Sequence, residues 1–145
     1  FFAEKLNTKH YKLNISLVRA AALLHDIDKN TSRLPGEKHP DTAVRILTAE
    51  GMPEVAAVVK AHSLHAILDP TITPKTLEEK ILYLADKMVK YDIVGVDGRF
   101  ALWRAEKLPP DAMRILDQTY EEVKHLEQEI FSLAGVTLEE VVKLA

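Results

Sequence analysis

The feature that most constrains this chain is an apolar run that ends in adjacent histidine and aspartate side chains. Leu17 to Leu24 is small and apolar enough to form a buried helix, and His25-Asp26 follows directly. A carboxylate carried to an interior needs a partner, because an isolated charge is costly in a low dielectric. A divalent metal ion would satisfy both side chains, since it binds neutral imidazole and anionic oxygen. The alternative is a hydrogen-bonded histidine with a purely structural role.

Further histidines and a second carboxylate strengthen the metal hypothesis. His39 precedes a predicted helix, His62 ends an apolar one, and Asp86 is carried by another. Taken singly, His39 could be a capping residue, and Asp86 could be neutralised by Lys90, one turn further on. Packing alone does not readily explain the whole set, so we interpret these residues as candidate metal ligands.

Apolar periodicity predicts helices throughout, and therefore an all-α fold. At 145 residues, we expect a single-domain helical bundle that covers residues 1–145. Thr76 and Glu79 predict a capping box at the start of the helix that carries Asp86. A long amphipathic helix is predicted from Pro110 to Leu133.

Two connections are of functional interest. Residues 28–38 form a predicted loop of a length that is often functional, and this loop carries Lys29, Arg33 and Lys38. A solvated basic turn is the alternative interpretation. Val96 to Arg99 is predicted to be a turn, from which Arg99 or Arg104 could reach a phosphate.

Composition narrows the classes of function. The chain has no cysteine, which excludes disulfides and thiolate metal sites and leaves nitrogen and oxygen ligands. Its net charge of −3 argues against nucleic acid as a partner, because phosphate backbones are bound chiefly by clustered basic residues. No apolar stretch approaches the roughly 20 residues of a membrane helix, and no signal-peptide pattern is evident. We therefore expect a cytoplasmic protein that does not bind membranes.

Several of these motifs together resemble a known family. Leu24-His25-Asp26-Ile27-Asp28-Lys29, then His39, His62 and the segment Glu79 to Asp86 are similar to the HD-domain superfamily of metal-dependent phosphohydrolases. The similarity runs from about Ser16 to Asp92. The nearest branch is the small bacterial one that includes diadenosine tetraphosphate hydrolases with a two-metal site.

The resemblance implies a metal centre. Its ligands would be His25, Asp26, His39, His62 and Asp86, holding one or two divalent ions, with Asp26 between the two ions in a dinuclear centre. Iron or manganese is favoured, while zinc, cobalt, nickel and magnesium also suit nitrogen and oxygen ligands.

The substrate implied by the resemblance is a small phosphate compound such as a nucleotide. Water activated by the metal would cleave its phosphate ester or anhydride bond. Lys29 would act with Asp26 in catalysis by stabilising negative charge, and Lys29, Arg33 and His65 would contact the substrate. His65 is three residues from His62 and would share its helix face if that helix continued.

The sequence departs from the family pattern in two places. Glycine usually stands where this chain has Asp28, a change expected to affect no ligand. The first histidine of the pattern is expected upstream of residue 1, with His10 as the local substitute.

Two alternatives to the enzyme remain open at this point. One is a non-catalytic signalling or interaction module that keeps the fold without the metal, and the other is a helical bundle with structural histidines. The apolar residues of the last short helix, near Val142, need a cover, which could be the core or a second copy in a homodimer.

Overall fold

Helices dominate the computed structural model, which describes residues 1–144. Within that range the chain forms eight α-helices and one 3-10 helix and contains no β-strand, so the predicted all-α fold is confirmed. None of the helices in the described part is long and apolar enough to cross a membrane. The helices are α1 (Phe2–Thr8), α2 (Ile15–Leu24), α3 (Asp41–Ala49), α4 (Pro53–Lys60), a 3-10 helix (Leu64–Leu68), α5 (Leu77–Asp86), α6 (Gly95–Ala105), α7 (Pro110–Ala134) and α8 (Leu138–Val142).

The helix boundaries follow local capping signals. Thr76 and Glu79 form the predicted capping box of α5, with the threonine hydroxyl accepting from the Glu79 N–H at 3.2 Å. The Asn14 side chain caps α2 by accepting from the Leu17 N–H. The long helix α7 ends at Gly135, whose φ of 65° is the left-handed conformation that glycine adopts without strain.

Helix α5 lies between two hydrophobic clusters. Its residues Tyr83 and Leu84 belong to the larger cluster, which also receives side chains from α1, α6 and α7. Leu82 instead packs in a smaller cluster with side chains from α2, α3 and α4. Burial on both sides fixes the rotation of α5 and therefore the direction in which Asp86, its last residue, is carried.

The prediction of a turn from Val96 to Arg99 is wrong. These residues lie in α6, where Val96 and Phe100 are fully buried in the larger cluster. The burial of this pair stabilises a helix in spite of Gly98, whose low helix propensity suggested a turn.

The connection at residues 28–38 is a loop, as predicted. Glu37 anchors it by accepting hydrogen bonds from the Arg45 guanidinium, the Thr42 hydroxyl and the Leu34 N–H. These bonds lower the pKa of Glu37 to about 2, the Arg45 bond contributing most. The loop is therefore tied to α3 immediately before His39.

At the end of the described range, α8 covers only part of its apolar surface. Val141 is buried in the larger cluster, whereas Val142 and Leu144 stay exposed. Packing on the core thus covers Val141, one of the apolar residues of this helix that were expected to be buried by a neighbouring surface.

Candidate metal centre

Three helix C-termini converge on one point. His25 directly follows α2, His62 lies two residues beyond α4, and Asp86 is the last residue of α5. The rings of His25 and His62 are 5.1 Å apart, and His25 Nε2 lies 3.5 Å from Asp86 Oδ1. Because the carbonyl end of a helix carries partial negative charge, this convergence favours a cation.

His25 and His62 are fixed by the same local arrangement. The Nδ1–H of His25 donates to the Ala22 carbonyl at 2.8 Å, and that of His62 donates to the Val59 carbonyl at 2.5 Å. A carbonyl can only accept, so in each ring Nδ1 carries the hydrogen. In the neutral form of each ring, Nε2 therefore directs a lone pair towards the centre.

His39 reaches the same centre from the end of the loop. Its Nδ1–H donates to the Asp28 carboxylate, at 2.9 Å from Oδ1 and 3.1 Å from Oδ2. Asp28 is fully buried, with 0% of its surface exposed. A carboxylate that holds the second nitrogen of a histidine fixes the ring and makes its Nε2 a better metal ligand.

Asp26 lies between the histidines. Its Oδ2 is 3.3 Å from His25 Nε2, and its Oδ1 is 3.8 Å from His39 Nε2. His25, Asp26 and His62 each offer a ligand atom, and these atoms all lie within 4.8 Å of one another. Because His39 contacts His62 and Asp86 contacts His25, the side chains of all five predicted ligands lie together.

The chemistry of these donors fits a divalent metal ion. His39 Nε2 and His62 Nε2 are 2.9 Å apart, and both carry lone pairs in the neutral rings. Two lone pairs in contact repel each other unless a proton or a cation neutralises them. Burial lowers the pKa of His62 to about 4, so its Nε2 keeps a lone pair that can bind a cation. Imidazole nitrogens with carboxylate oxygens are the donor set that suits iron, manganese and zinc.

Lys87 is a buried cation that the sequence analysis did not assign to the site. Its Nζ lies 2.5 Å from Asp86 Oδ2, donates to the His62 carbonyl at 2.5 Å, and sits 4.5 Å from the Tyr83 ring centre. Burial raises the pKa of Asp86, whereas the charge of Lys87 and the hydrogen bonds from His25 and Lys87 lower it. The net effect is a lowered pKa. The predicted partner of Asp86, Lys90, pairs with Glu106 instead.

The remaining predicted residues lie at the edge of the centre or away from it. Lys29 is mostly exposed, and its Nζ contacts Asp26 Oδ2 at 2.6 Å. Arg33 is exposed in the loop. His65 is exposed in the 3-10 helix and does not share a helix with His62, because α4 ends at Lys60. It lines a separate cavity.

The structure also shows the two positions at which the sequence departs from the family pattern. His10 is exposed in the turn after α1, with a φ of 72°, and is not one of the clustered donors. Asp28 was expected to touch no ligand, and this is wrong because it bonds directly to His39. Its φ is not positive, so the position does not require the glycine that the family usually has.

Comparison with known proteins gives one match. A family model described as HD domain matches residues 1–90, which is more than half of the chain and includes all five candidate ligands. No curated protein and no solved structure matches the chain significantly.

Proposed function

The chain belongs to the HD domain family, and from that premise we propose that it is a metal-dependent phosphohydrolase. It would cleave the phosphate ester or anhydride bond of a nucleotide or a similar small molecule in the cytoplasm. The observation that carries this proposal is the convergence of three imidazole Nε2 atoms and two carboxylates at one centre.

His25, Asp26, His39, His62 and Asp86 would hold one or two divalent ions, for which iron and manganese are the favoured metals. Such an ion supplies a Lewis acid that polarises a phosphoryl oxygen and acidifies a water molecule. Asp26 suits the role of shared ligand, since its two oxygens face His25 and His39 separately.

Lys29 is the residue of this centre with the best access to a substrate. Its ammonium contacts Asp26, while most of its side chain remains exposed. In this position it orients the Asp26 carboxylate and offers positive charge to a phosphoryl group, whose negative charge grows on the leaving oxygen.

The substrate proposal follows the family branch that the motif resembles, which includes diadenosine tetraphosphate hydrolases. Arg33 lies in the loop that Glu37 anchors, and His65 lies three residues beyond His62. We assign both to contacts with the part of the nucleotide that leads away from the metal centre. Nucleotide polyphosphates are therefore the first compounds to test.

The test is a release assay with the manganese- or iron-loaded protein on a panel of nucleoside mono-, di- and triphosphates and dinucleoside polyphosphates. We expect product release that requires metal and is lost in Asp86→Asn. Asp92→Asn is the matched control, since Asp92 is an exposed aspartate outside the centre. If metal-loaded wild type cleaves no member of the panel, the phosphohydrolase proposal fails in favour of a non-catalytic module.

A further inference from the structure

Three buried side-chain polar atoms lack a hydrogen-bond partner among residues 1–144. They are Ser63 Oγ, Arg99 Nε and Arg99 Nη1. Folded proteins pair nearly all such groups, so an unpaired one calls for an explanation, such as an absent ligand. One of the two residues, Ser63, lies next to a ligand of the candidate metal centre.

Ser63 directly follows the ligand His62. It occupies the cap position of the 3-10 helix, yet its hydroxyl makes no capping hydrogen bond, and only 6% of its surface is exposed. The His62 carbonyl, which belongs to the peptide group that joins the two residues, accepts a hydrogen bond from Lys87 Nζ. The Ser63 hydroxyl is therefore a fixed, unused donor next to the centre.

Arg99 approaches from α6, whose start is attached to the end of α5. The N–H groups of Val94 and Gly95 donate to the Met88 carbonyl at 2.8 and 3.1 Å, two residues beyond Asp86. Arg99 follows one turn into α6. Helix α6 therefore begins close to the end of the helix that carries Asp86.

The Arg99 guanidinium is held in place by an aromatic ring. Its Cζ lies 4.1 Å from the centre of the Trp103 ring, within the range of a cation–π interaction. Trp103 and His65 line one cavity of about 290 Å³. Leu64, the residue after Ser63, lines the same cavity, so the ring that holds Arg99 lies close to the Ser63 segment.

Arg99 also differs from three other cations of the chain, each of which pairs with a carboxylate. Lys29 pairs with Asp26, Lys87 with Asp86, and Arg104 with Asp117. Within the described part of the chain, Arg99 forms no salt bridge, and its Nε and Nη1 atoms have no hydrogen-bond partner. A guanidinium without a carboxylate partner suits a phosphate, whose oxygens match its planar donors.

We propose that Arg99 and Ser63 form a phosphate-binding subsite beside the metal centre, at which they donate hydrogen bonds to a phosphoryl group of the substrate. The subsite rests on the proposed function for the identity of its ligand. Arg99 supplies the charge and Ser63 a neutral donor, so the arginine makes the larger contribution to affinity.

The first test measures the binding of inorganic phosphate and pyrophosphate to manganese-loaded protein by calorimetry. We expect the Kd to rise by about tenfold or more in Arg99→Gln and by a smaller factor in Ser63→Ala. Arg104→Gln is the matched control, an arginine on the same helix with its own carboxylate partner. Metal content should be equal in all variants, since neither residue is a ligand.

Several results would overturn the subsite. One is an unchanged phosphate Kd in Arg99→Gln, and another is a wild type that does not bind phosphate. If Arg99→Gln does not fold, Arg99→Lys and Ser63→Ala provide the test. Phosphate should raise the melting temperature of both variants by less than it raises that of wild type. An equal rise would reject the subsite.

The outcomes also separate this inference from the proposed function. If wild type binds phosphate through Arg99 but cleaves no compound of the panel, the subsite stands and the phosphohydrolase proposal fails. If wild type is active and Arg99→Gln leaves both KM and phosphate affinity unchanged, the enzyme stands and the subsite fails.

Discussion

His39 Nε2 and His62 Nε2 lie 2.9 Å apart, although each ring already donates its Nδ1–H to an oxygen acceptor. In their neutral forms the two rings would meet lone pair to lone pair. The Asp28 carboxylate and the Val59 carbonyl accept these two hydrogen bonds and so fix both rings. The fold itself therefore keeps the two Nε2 atoms close together. A cation held by the two nitrogens would turn the repulsion into coordination.

The first prediction concerns Asp28, which orients His39. Asp28→Asn removes the charge that strengthens His39 as a ligand, and its amide can instead present N–H₂ to the ring. We expect the affinity for manganese to fall by about 10- to 100-fold, the usual effect of losing such a partner. Calorimetric titration of metal-free protein measures this, and equal affinities would contradict a role for Asp28 in the metal site.

The second prediction concerns Lys87, which is only 2% exposed. Lys87→Met keeps an unbranched side chain, one atom shorter, but leaves Asp86 without its ammonium, and breaking a buried ion pair costs about 3–5 kcal/mol. Thermal unfolding should therefore occur at a lower temperature in metal-free protein, and manganese should restore part of the loss by replacing the missing positive charge.

Lys90→Met is the control for this variant, because Lys90 is partly exposed and pairs with Glu106 at 3.2 Å. Surface pairs of this kind contribute at most about 1 kcal/mol. Equal destabilisation by the two substitutions would show that Lys87 has no special relation to Asp86.

The third prediction separates catalysis from metal binding at Lys29. Lys29→Ala removes a charge that contacts Asp26 but offers no ligand atom itself in the ammonium form. We expect the metal content to stay at the wild-type value while turnover on the active phosphate compound is lost. Turnover equal to wild type would remove Lys29 from the catalytic machinery.

The fourth prediction is a pH dependence. Hydrogen bonds from Arg45, Thr42 and Leu34 lower the pKa of Glu37 from 4.5 to about 2. A carboxyl group with a lowered pKa in the folded state adds stability above its unfolded pKa and loses it as the pH falls through the folded value. This contribution is thus complete above about pH 4.5 and disappears towards pH 2.

Glu37→Gln should accordingly lower the melting temperature of metal-free protein at pH 7. It should also flatten the decline in stability below pH 4.5, because the amide does not titrate. Thermal scans of both proteins from pH 7 to pH 2.5 test this. Parallel curves would mean that Glu37 does not anchor the loop.

Much of the fold could be predicted from sequence because its signals are local. The capping box at Thr76 and Glu79 and the glycine after α7 are short-range features, and the structure has both. The start of α6 could not be predicted in this way. Its helical state depends on the burial of Val96 and Phe100 against other helices, which local propensity does not record.

The candidate site also contains residues that local motifs reveal and residues that only long-range contacts reveal. The five candidate ligands could be named because the His-Asp pair and the later motif resemble the HD-domain pattern, which the sequence alone displays. Asp28 and Lys87 were missed because their roles depend on contacts with His39 and with the His62 carbonyl, 11 and 25 residues away. Lys87 lies in the largely apolar run from Leu84 to Val89, a signal that could have raised it as a candidate, whereas Asp28 lies among polar neighbours and carries no such signal.

The central claim is that the three imidazoles and two carboxylates form a metal site. Elemental analysis of protein purified without chelator or histidine tag tests it most directly, on wild type and on His39→Gln. The account predicts one or two divalent ions per wild-type chain and fewer in the variant, with the helical circular dichroism unchanged. Wild type that holds no metal, even after incubation with manganese and ferrous iron, would contradict it.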